Sequence, residues 1–247
     1  MKILVNGCNG KMGQEVERQI KLTEDVDVLC GFDRADSGDN SFPVFTNIED
    51  IDLIPDVIID FSAPALTFKI LEFAKNNNIP TVIATTGFTD KEMEQIEQIS
   101  KLIPIFKSAN MSYEINLMSK IVCEIATKLR EADIEIVETH HNRKVDSPSG
   151  TALLLANDIN QALDNEKEFV YDRHSKREAR QKKEIGISSI RGGTEVGKHS
   201  VIFFGDNESF EITHNCTSRS VFANGAIKAA KFLEHKNPGL YNMNDLL

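Results

Sequence analysis

Lys2-Ile3-Leu4-Val5-Asn6-Gly7-Cys8-Asn9-Gly10-Lys11-Met12-Gly13 is the stretch from which the rest of the chain can be read. A short apolar strand runs into three glycines spaced G-x-x-G-x-x-G, and a helical pattern opens at once behind them. Glycines at such a junction let the backbone turn tightly and approach a pyrophosphate closely. The phosphate charge then sits at the positive end of the helix. A second apolar run covers 26–32 and ends at Asp33, 20 residues past Gly13. In a dinucleotide-binding βαβ unit that is the place of the acid that bonds the adenine ribose hydroxyls. Arg34 follows and suits a ribose 2′-phosphate instead. A bare glycine triplet also fits an ordinary strand-to-helix turn, and Asp33-Arg34 a solvated turn; their spacing relative to each other favours the dinucleotide reading.

Strand-like runs recur at 57–61, 81–84 and 105–107, with helical patterns at 11–22, 66–76 and 90–101 between them. Strands alternating with helices of this length predict a parallel sheet built from βαβ units. Ligands of open parallel sheets bind beyond the carboxyl ends of the strands. Ala84, Thr85 and Thr86 after one strand, and Ser108, Ala109, Asn110 and Met111 after another, are therefore candidates for the rim of a cofactor crevice.

A longer apolar helix is expected at 113–129, and after about residue 132 the pattern changes. Residues 133–139 alternate like a half-buried strand with Ile134, Ile136 and Glu138 on one face. A polar loop and a helix near 151–163 follow. Strand-like runs then come at 185–190, 199–204 and 210–214, and a helix at 221–233 is ended by Asn237-Pro238-Gly239. The basic stretch 173–183 reads as a mobile solvated loop. His174, His199, His214 and His235 read as structural or surface residues. The order is α/β first, a strand-rich insert second and a closing helix third, and that helix is free to pack back on the first part.

Composition narrows the class. Of 247 residues, 40% are hydrophobic and 27% charged, as in a soluble globular protein, and 28 Lys+Arg against 38 Asp+Glu give a net charge of −10. That balance argues against a nucleic-acid partner while allowing a small anion in a locally positive pocket. No apolar run has the length of a secretory core or a membrane span, so no membrane partner is expected. Cys8, Cys30, Cys123 and Cys216 are scattered and read as free thiols of a reducing cytosol. Cys8, inside the glycine turn, reads as inert packing more readily than as a reactive thiol.

The densest polar cluster is Glu138-Thr139-His140-His141-Asn142-Arg143-Lys144-Val145-Asp146-Ser147-Pro148-Ser149-Gly150-Thr151. It sets two histidines and a lysine beside a helix start whose backbone N–H groups suit a carboxylate. Metal binding is disfavoured, because no H-E-x-x-H pattern is present and adjacent strand residues point to opposite faces. A solvated basic loop is the plain alternative. Histidine and lysine together suit donating a proton while holding an anion.

With these segments in hand the chain resembles the dihydrodipicolinate reductase (4-hydroxy-tetrahydrodipicolinate reductase) family along almost its whole length. The likeness rests on the glycine triplet, Ala84-Thr85-Thr86-Gly87-Phe88 and Ser108-Ala109-Asn110-Met111-Ser112. It rests also on Glu138-x-His140-His141-x-x-Lys144-x-Asp146-x-Pro148-Ser149-Gly150-Thr151, Arg191-x-Gly193-x-x-Val196-Gly197-x-His199 and Phe222-Ala223-Asn224-Gly225-Ala226. The resemblance implies a Rossmann-like α/β dinucleotide domain, 1–111 with 220–247. It implies an inserted α+β domain with a mixed sheet, 112–219, for substrate binding and oligomerisation at the centre of a cytoplasmic homotetramer. It implies NADH or NADPH as cofactor and a small cyclic dicarboxylate as substrate, reduced at C4 in the diaminopimelate/lysine pathway. Carried over by position, Gly7, Cys8, Asn9, Gly10, Lys11 and Met12 bind the dinucleotide. Asp33 and Arg34 take the ribose or its phosphate, and Ala84, Thr85, Thr86, Ser108, Ala109, Asn110 and Met111 line the nicotinamide end. His140 is implied as proton donor and Lys144 as the second catalytic group, with His141, Ser149, Gly150 and Thr151 holding carboxylates. No metal is implied.

Three positions depart from the usual pattern: Ala84 where Gly is frequent, Ser147 where Ala is usual, and Cys216 at a commonly small, non-sulfur position. None removes a reacting group. Two rival readings stay open: a different Rossmann-type oxidoreductase acting on other carbonyl compounds, and a non-catalytic dinucleotide sensor.

Overall fold

The apolar runs of the first half do form one sheet in the computed structural model, which describes residues 1–174 and 176–247. Its strands are β1 (Lys2–Asn6), β2 (Asp27–Phe32), β3 (Val44–Phe45), β4 (Val57–Asp60), β5 (Thr81–Ile83), β6 (Pro104–Lys107) and, from the far end of the chain, β12 (Gly239–Tyr241). All pairings are parallel and the order is β12-β6-β5-β4-β1-β2-β3. Strand order reverses between β1 and β4. That is the topological switch point at which doubly wound sheets bind ligands.

A parallel sheet is covered on both faces, so its strands bury residues of either parity. Ile3 and Val5 pack with α1 (Lys11–Ile20) and α6 (Ser220–Leu233). Leu4, Ile58 and Ile83 pack the other way, with α2 (Pro64–Asn77) and α3 (Asp90–Ser100). Thr89 and Glu92 form a capping box that starts α3. The closing helix therefore shares a core with the first strands. Its Ala223, Ala226, Ala229 and Ala230 are fully buried. At Gly225 the backbone of Met111 passes so close that a Cβ would lie 1.6 Å from the Met111 carbonyl oxygen. Met1–Tyr113 together with Arg219–Leu247 make one compact unit, and Glu114–Ser218 make a second.

The second unit holds a mixed five-stranded sheet of β7 (Asp133–His140), β8 (Glu168–Val170), β9 (Glu184–Arg191), β10 (Gly197–Phe204) and β11 (Ser209–Cys216), in the order β11-β10-β7-β9-β8. β7, β9 and β8 run parallel, whereas β10 is antiparallel to both β7 and β11. One face packs against α4 (Tyr113–Lys128) and α5 (Gly150–Ala162), through Ile134, Ile136, Ile187, Val201 and Phe203. The α/β fold with an inserted mixed-sheet unit matches the expectation.

The strands not anticipated are β3, β8 and β12, each of two or three residues at a sheet edge. Runs that short cannot display a period-2 pattern. Downstream of β12, the short helix α7 (Met243–Leu246) buries Met243 in the first core. The basic stretch 173–183 is less free than its composition suggests. Arg173 pairs with the buried Glu184, and Arg180 donates to Glu135, to the Ile134 carbonyl at 2.9 Å and to the Glu184 carbonyl at 2.6 Å. Ser175 of that stretch lies outside the described residues.

Candidate functional site

The glycine turn of the first unit is built for close backbone approach. Gly7 takes φ +81°, where a side chain would be strained, and a Cβ there would meet the Phe61 carbonyl oxygen at 2.7 Å. Gly13 lies against the same turn, with a would-be Cβ 2.2 Å from the Gly7 carbonyl oxygen. Gly10 N–H donates to the Gly7 carbonyl at 3.0 Å and stands immediately before α1. The turn thus offers a cradle of backbone and a helix N-terminus, which suits a pyrophosphate. Gly7 and Gly10 form this turn, and Lys11 and Met12 open α1 behind it.

Asp33 joins this turn directly. Its Oδ2 accepts from Asn9 N–H at 2.9 Å and its Oδ1 from Arg34 N–H at 2.7 Å. Each carboxylate oxygen keeps a further lone pair that can accept from a hydroxyl group. Asn9 is the hub of the rim: its side chain reaches the Ala35 carbonyl and receives Asn40. Arg34 is exposed. Cys8 is 1% exposed; burial chiefly, with Asp33 nearby, pushes its thiol up to about 12. It therefore stays protonated and inert, and contributes backbone only.

At the neighbouring strand ends, Thr85 is buried and its Oγ1 accepts from Ser62 N–H at 2.9 Å. Ala84 is half-buried and Thr86 exposed. Ser108 Oγ donates to the Asn110 carbonyl at 2.7 Å, shaping the loop that also carries Ala109. Met111 turns its side chain into the core, so it too offers only backbone to a rim. Sequence reasoning missed Asp60, at the end of β4. It is fully buried and bonded to Asn6, Ser62 and Thr67. Burial pushes its carboxyl above the usual range, against the pull of hydrogen bonds from Ser62, Thr67 and Thr85.

The polar cluster of the second unit is organised around another buried acid. β7 alternates strictly, so Ile134, Ile136, Glu138 and His140 share the inward face. Glu138 is 0% exposed. Its Oε2 lies 2.6 Å from His140 Nδ1 and accepts from Arg191 Nη1 at 2.8 Å. Its Oε1 accepts from Arg191 Nη2 at 2.7 Å and from Ser149 N–H at 3.1 Å. Burial alone would raise this carboxyl. The hydrogen bonds from Arg191, Ser189 and His140 outweigh burial and hold it at about 2.

Arg191 also donates to the Asp146 carbonyl at 2.8 Å, which ties the loop down beside Lys144. Lys144 pairs with Asp146 at 2.9 Å. Ser149 caps α5, its Oγ accepting from Ala152 N–H, and the same Oγ lies 2.9 Å from His199 Nε2. Gly150 and Thr151 open that helix. His141 leaves the strand end and donates its N–H to the Glu195 carbonyl at 2.8 Å.

The structure thus brings His140, Lys144, Ser149, Gly150 and Thr151 into one cluster of the second unit, with His141 on its border. The dinucleotide candidates all lie in the first unit. Glu138 and Arg191 belong to the cluster and had no assigned role, and His199, expected to be structural or on the surface, is buried within it. Glu138 was legible from strand period, two residues before His140. His199 was not, because its partner Ser149 is 50 residues away in sequence.

His199 is buried and edge-to-face with His140, ring centroids 5.1 Å apart. Burial first, then the neighbouring His140, pushes it down to about 4. An unfolded histidine titrates near its ordinary 6.5, so the unfolded chain takes up this proton more readily. The stability that neutral His199 contributes is complete above that value and is lost as pH falls toward 4. Between the two values the loss is roughly 3 kcal/mol. Urea unfolding followed from pH 7.5 to 4 should show a steeper fall for the wild type than for His199→Asn; equal slopes would refute the assignment.

A doubly wound parallel sheet with a glycine turn at its switch point, in a chain whose second unit bears an acid–histidine–arginine cluster, defines the Rossmann-type dinucleotide class of fold. Comparison with known proteins narrows the class. The family description "Dihydrodipicolinate reductase, N-terminus" matches residues 1–111 and "Dihydrodipicolinate reductase, C-terminus" matches 114–247. The chain belongs to the dihydrodipicolinate reductase family. It is 47% identical over 247 residues to the 4-hydroxy-tetrahydrodipicolinate reductase of Caldanaerobacter subterraneus subsp. tengcongensis, covering 100% of this chain and 98% of that one. Identity to the reductase of the same name from Brachyspira hyodysenteriae is 49%, covering 100% of both. A dipicolinate-bound dihydrodipicolinate reductase from Paenisporosarcina sp. TG-14 superposes with a TM-score of 0.84 at 26% identity, over 100% of this chain and 99% of that one.

Proposed function

We propose that this chain reduces 4-hydroxy-tetrahydrodipicolinate to tetrahydrodipicolinate with NADH or NADPH, in the diaminopimelate/lysine pathway. The reaction takes up one hydride and one proton and releases one water. The observation that carries the reading is the cluster in which His140 and Lys144 stand beside the capped start of α5. Family membership supports it, as does the dipicolinate held by the Paenisporosarcina relative.

Bound to the first unit, the nicotinamide supplies the hydride. Gly7, Gly10, Lys11 and Met12, with the backbone of Cys8 and Asn9, hold the pyrophosphate. Asp33 takes the ribose hydroxyls and Arg34 a 2′-phosphate. Ala84, Thr85, Thr86, Ser108, Ala109, Asn110 and the backbone of Met111 line the nicotinamide end. In the second unit His140 donates the proton and Lys144 is the second catalytic group. His141, Ser149, Gly150 and Thr151 bind the two carboxylates, the last two through helix-start N–H groups. The first unit is thereby the dinucleotide domain, and the second the substrate and oligomerisation domain.

We place the enzyme in the cytoplasm as a homotetramer. The sheet face opposite α4 and α5 leaves Ile190 51% and Phe204 43% exposed, which suits burial against other copies. Among the described residues no helix is long and apolar enough to cross a membrane.

The test is a coupled assay. Pyruvate and aspartate semialdehyde pass through the upstream synthase, and nucleotide oxidation is followed by absorbance. Turnover that requires the synthase is expected; NADH binding without turnover would identify a sensor instead. With Asp33 and Arg34 side by side, both cofactors should serve. Arg34→Ala should raise KM for NADPH more than for NADH, and equal effects would remove Arg34 from the 2′-phosphate site.

A further inference from the structure

The side chain with the most partners in the second unit's cluster takes no part in the chemistry just described. Glu138 sits on the inward face of β7, fully buried, and both of its oxygens are engaged by Arg191. A buried carboxylate fixed by a bidentate guanidinium has little freedom to move. Oε2 lies 2.6 Å from His140 Nδ1, so in any protonated form of the ring that nitrogen donates to the acid. Nε2 is then the position at which the ring can gain or lose a proton. Gly197 stands next to Nε2, where a Cβ would come to 3.0 Å, and the lack of a side chain keeps that nitrogen uncrowded.

Building on the reading of His140 as proton donor, we propose that Glu138 is its positioning residue, holding the imidazole in one tautomer and one direction so that Nε2–H carries the transferred proton. In the step, the Nε2–H bond breaks and the proton passes to the substrate. The imidazolium becomes a neutral imidazole still anchored through Nδ1–H to Glu138. Charged and titratable groups around the ring come from further elements: Arg191 at the end of β9, bound to Glu138, and His199 on β10, against the ring, with Lys144 of the loop after β7 acting on His199. Arg191 neutralises Glu138, so removing the acid also leaves a cation without its partner beside a ring that must itself become cationic.

Three measurements test this. Glu138→Gln keeps the shape of the side chain and an acceptor for Nδ1–H but loses the charge, and it should lower kcat by about 10²-fold with NADH affinity unchanged. The double variant Glu138→Gln/His140→Gln should turn over within about twofold of His140→Gln alone, because Glu138 acts through that ring. Independent, multiplying losses would show a merely structural role and overturn the proposal, as would an unchanged kcat in Glu138→Gln. The wild-type protein needs no substitution for the third measurement. Its proton NMR spectrum should contain a far-downfield Nδ1–H resonance that His140→Gln abolishes, and absence of that resonance from the wild type overturns the proposal even where Glu138→Gln does not fold. A wild-type protein that shows the resonance but fails the coupled assay would refute the assigned reaction and leave the Glu138–His140 pairing standing.

Discussion

Replacing His140 by Gln should lower kcat by about 10²–10⁴-fold, the range a positioned proton donor contributes. In the middle of that range the barrier rises by about 4 kcal/mol. The loss falls on kcat and kcat/KM alike, because the proton moves only in the transition state. Glutamine fills much of the imidazole's space and can donate to Glu138, so the Glu138–Arg191 pair should persist and the second unit should stay folded. NADH affinity, measured by fluorescence, should be unchanged, since the proposed dinucleotide residues lie in the other unit. Turnover near that of the wild type would remove His140 from the mechanism while leaving the family assignment intact.

How far the sequence carried this reading differs between the two units, for physical reasons. In the first, function follows local geometry. Gly7, Gly10, Gly13 and Asp33 are close in sequence and close in space, and the bond from Asn9 N–H to Asp33 closes the unit they define. What periodicity could not show there is Asp60, a lone acid at a strand end whose partners Asn6 and Thr67 come from other elements. In the second unit the order of legibility runs along β7. Ile134, Ile136 and Glu138 were recognisable as face-mates because the strand alternates, and the strand runs one residue past the expected 133–139 to put His140 on the same face. Arg191 and His199 arrive from β9 and β10, whose pairing with β7 sets His140 opposite Arg191 and Glu138 opposite His199. No spacing rule within one strand announces such cross-strand neighbours. The basic stretch before β9 shows the converse error. Its composition is that of a solvated loop, yet Arg180 is tied to β7 and β9 by backbone carbonyls that composition does not reveal.

Replacing Lys144 by Ala should act on binding and on rate together, which separates its role from that of His140. Its ammonium lies 2.9 Å from Asp146, and its side chain is only 20% exposed. The hydrogen bond from Lys144 holds the Asp146 carboxyl below the usual range. A substrate carboxylate that takes Lys144 as its partner competes with Asp146 for it. Losing the lysine removes a charge-assisted bond from both ground and transition states, which raises KM; a bond of that kind is worth about 1.5–3 kcal/mol. Because the lysine is the proposed second catalytic group, its loss should also lower kcat, by about 10²–10⁴-fold. His140→Gln should raise KM less, since that ring is proposed to move a proton and not to grip a carboxylate. Asp146→Ala supplies the opposing case. It frees Lys144 for the substrate, and KM should fall or stay level while kcat is kept. If the histidine and lysine act as a unit, the variant lacking both should be little slower than the poorer single one. A Lys144→Ala enzyme with wild-type KM would show that the lysine never meets the substrate, and that its bond to Asp146 serves only to shape the loop.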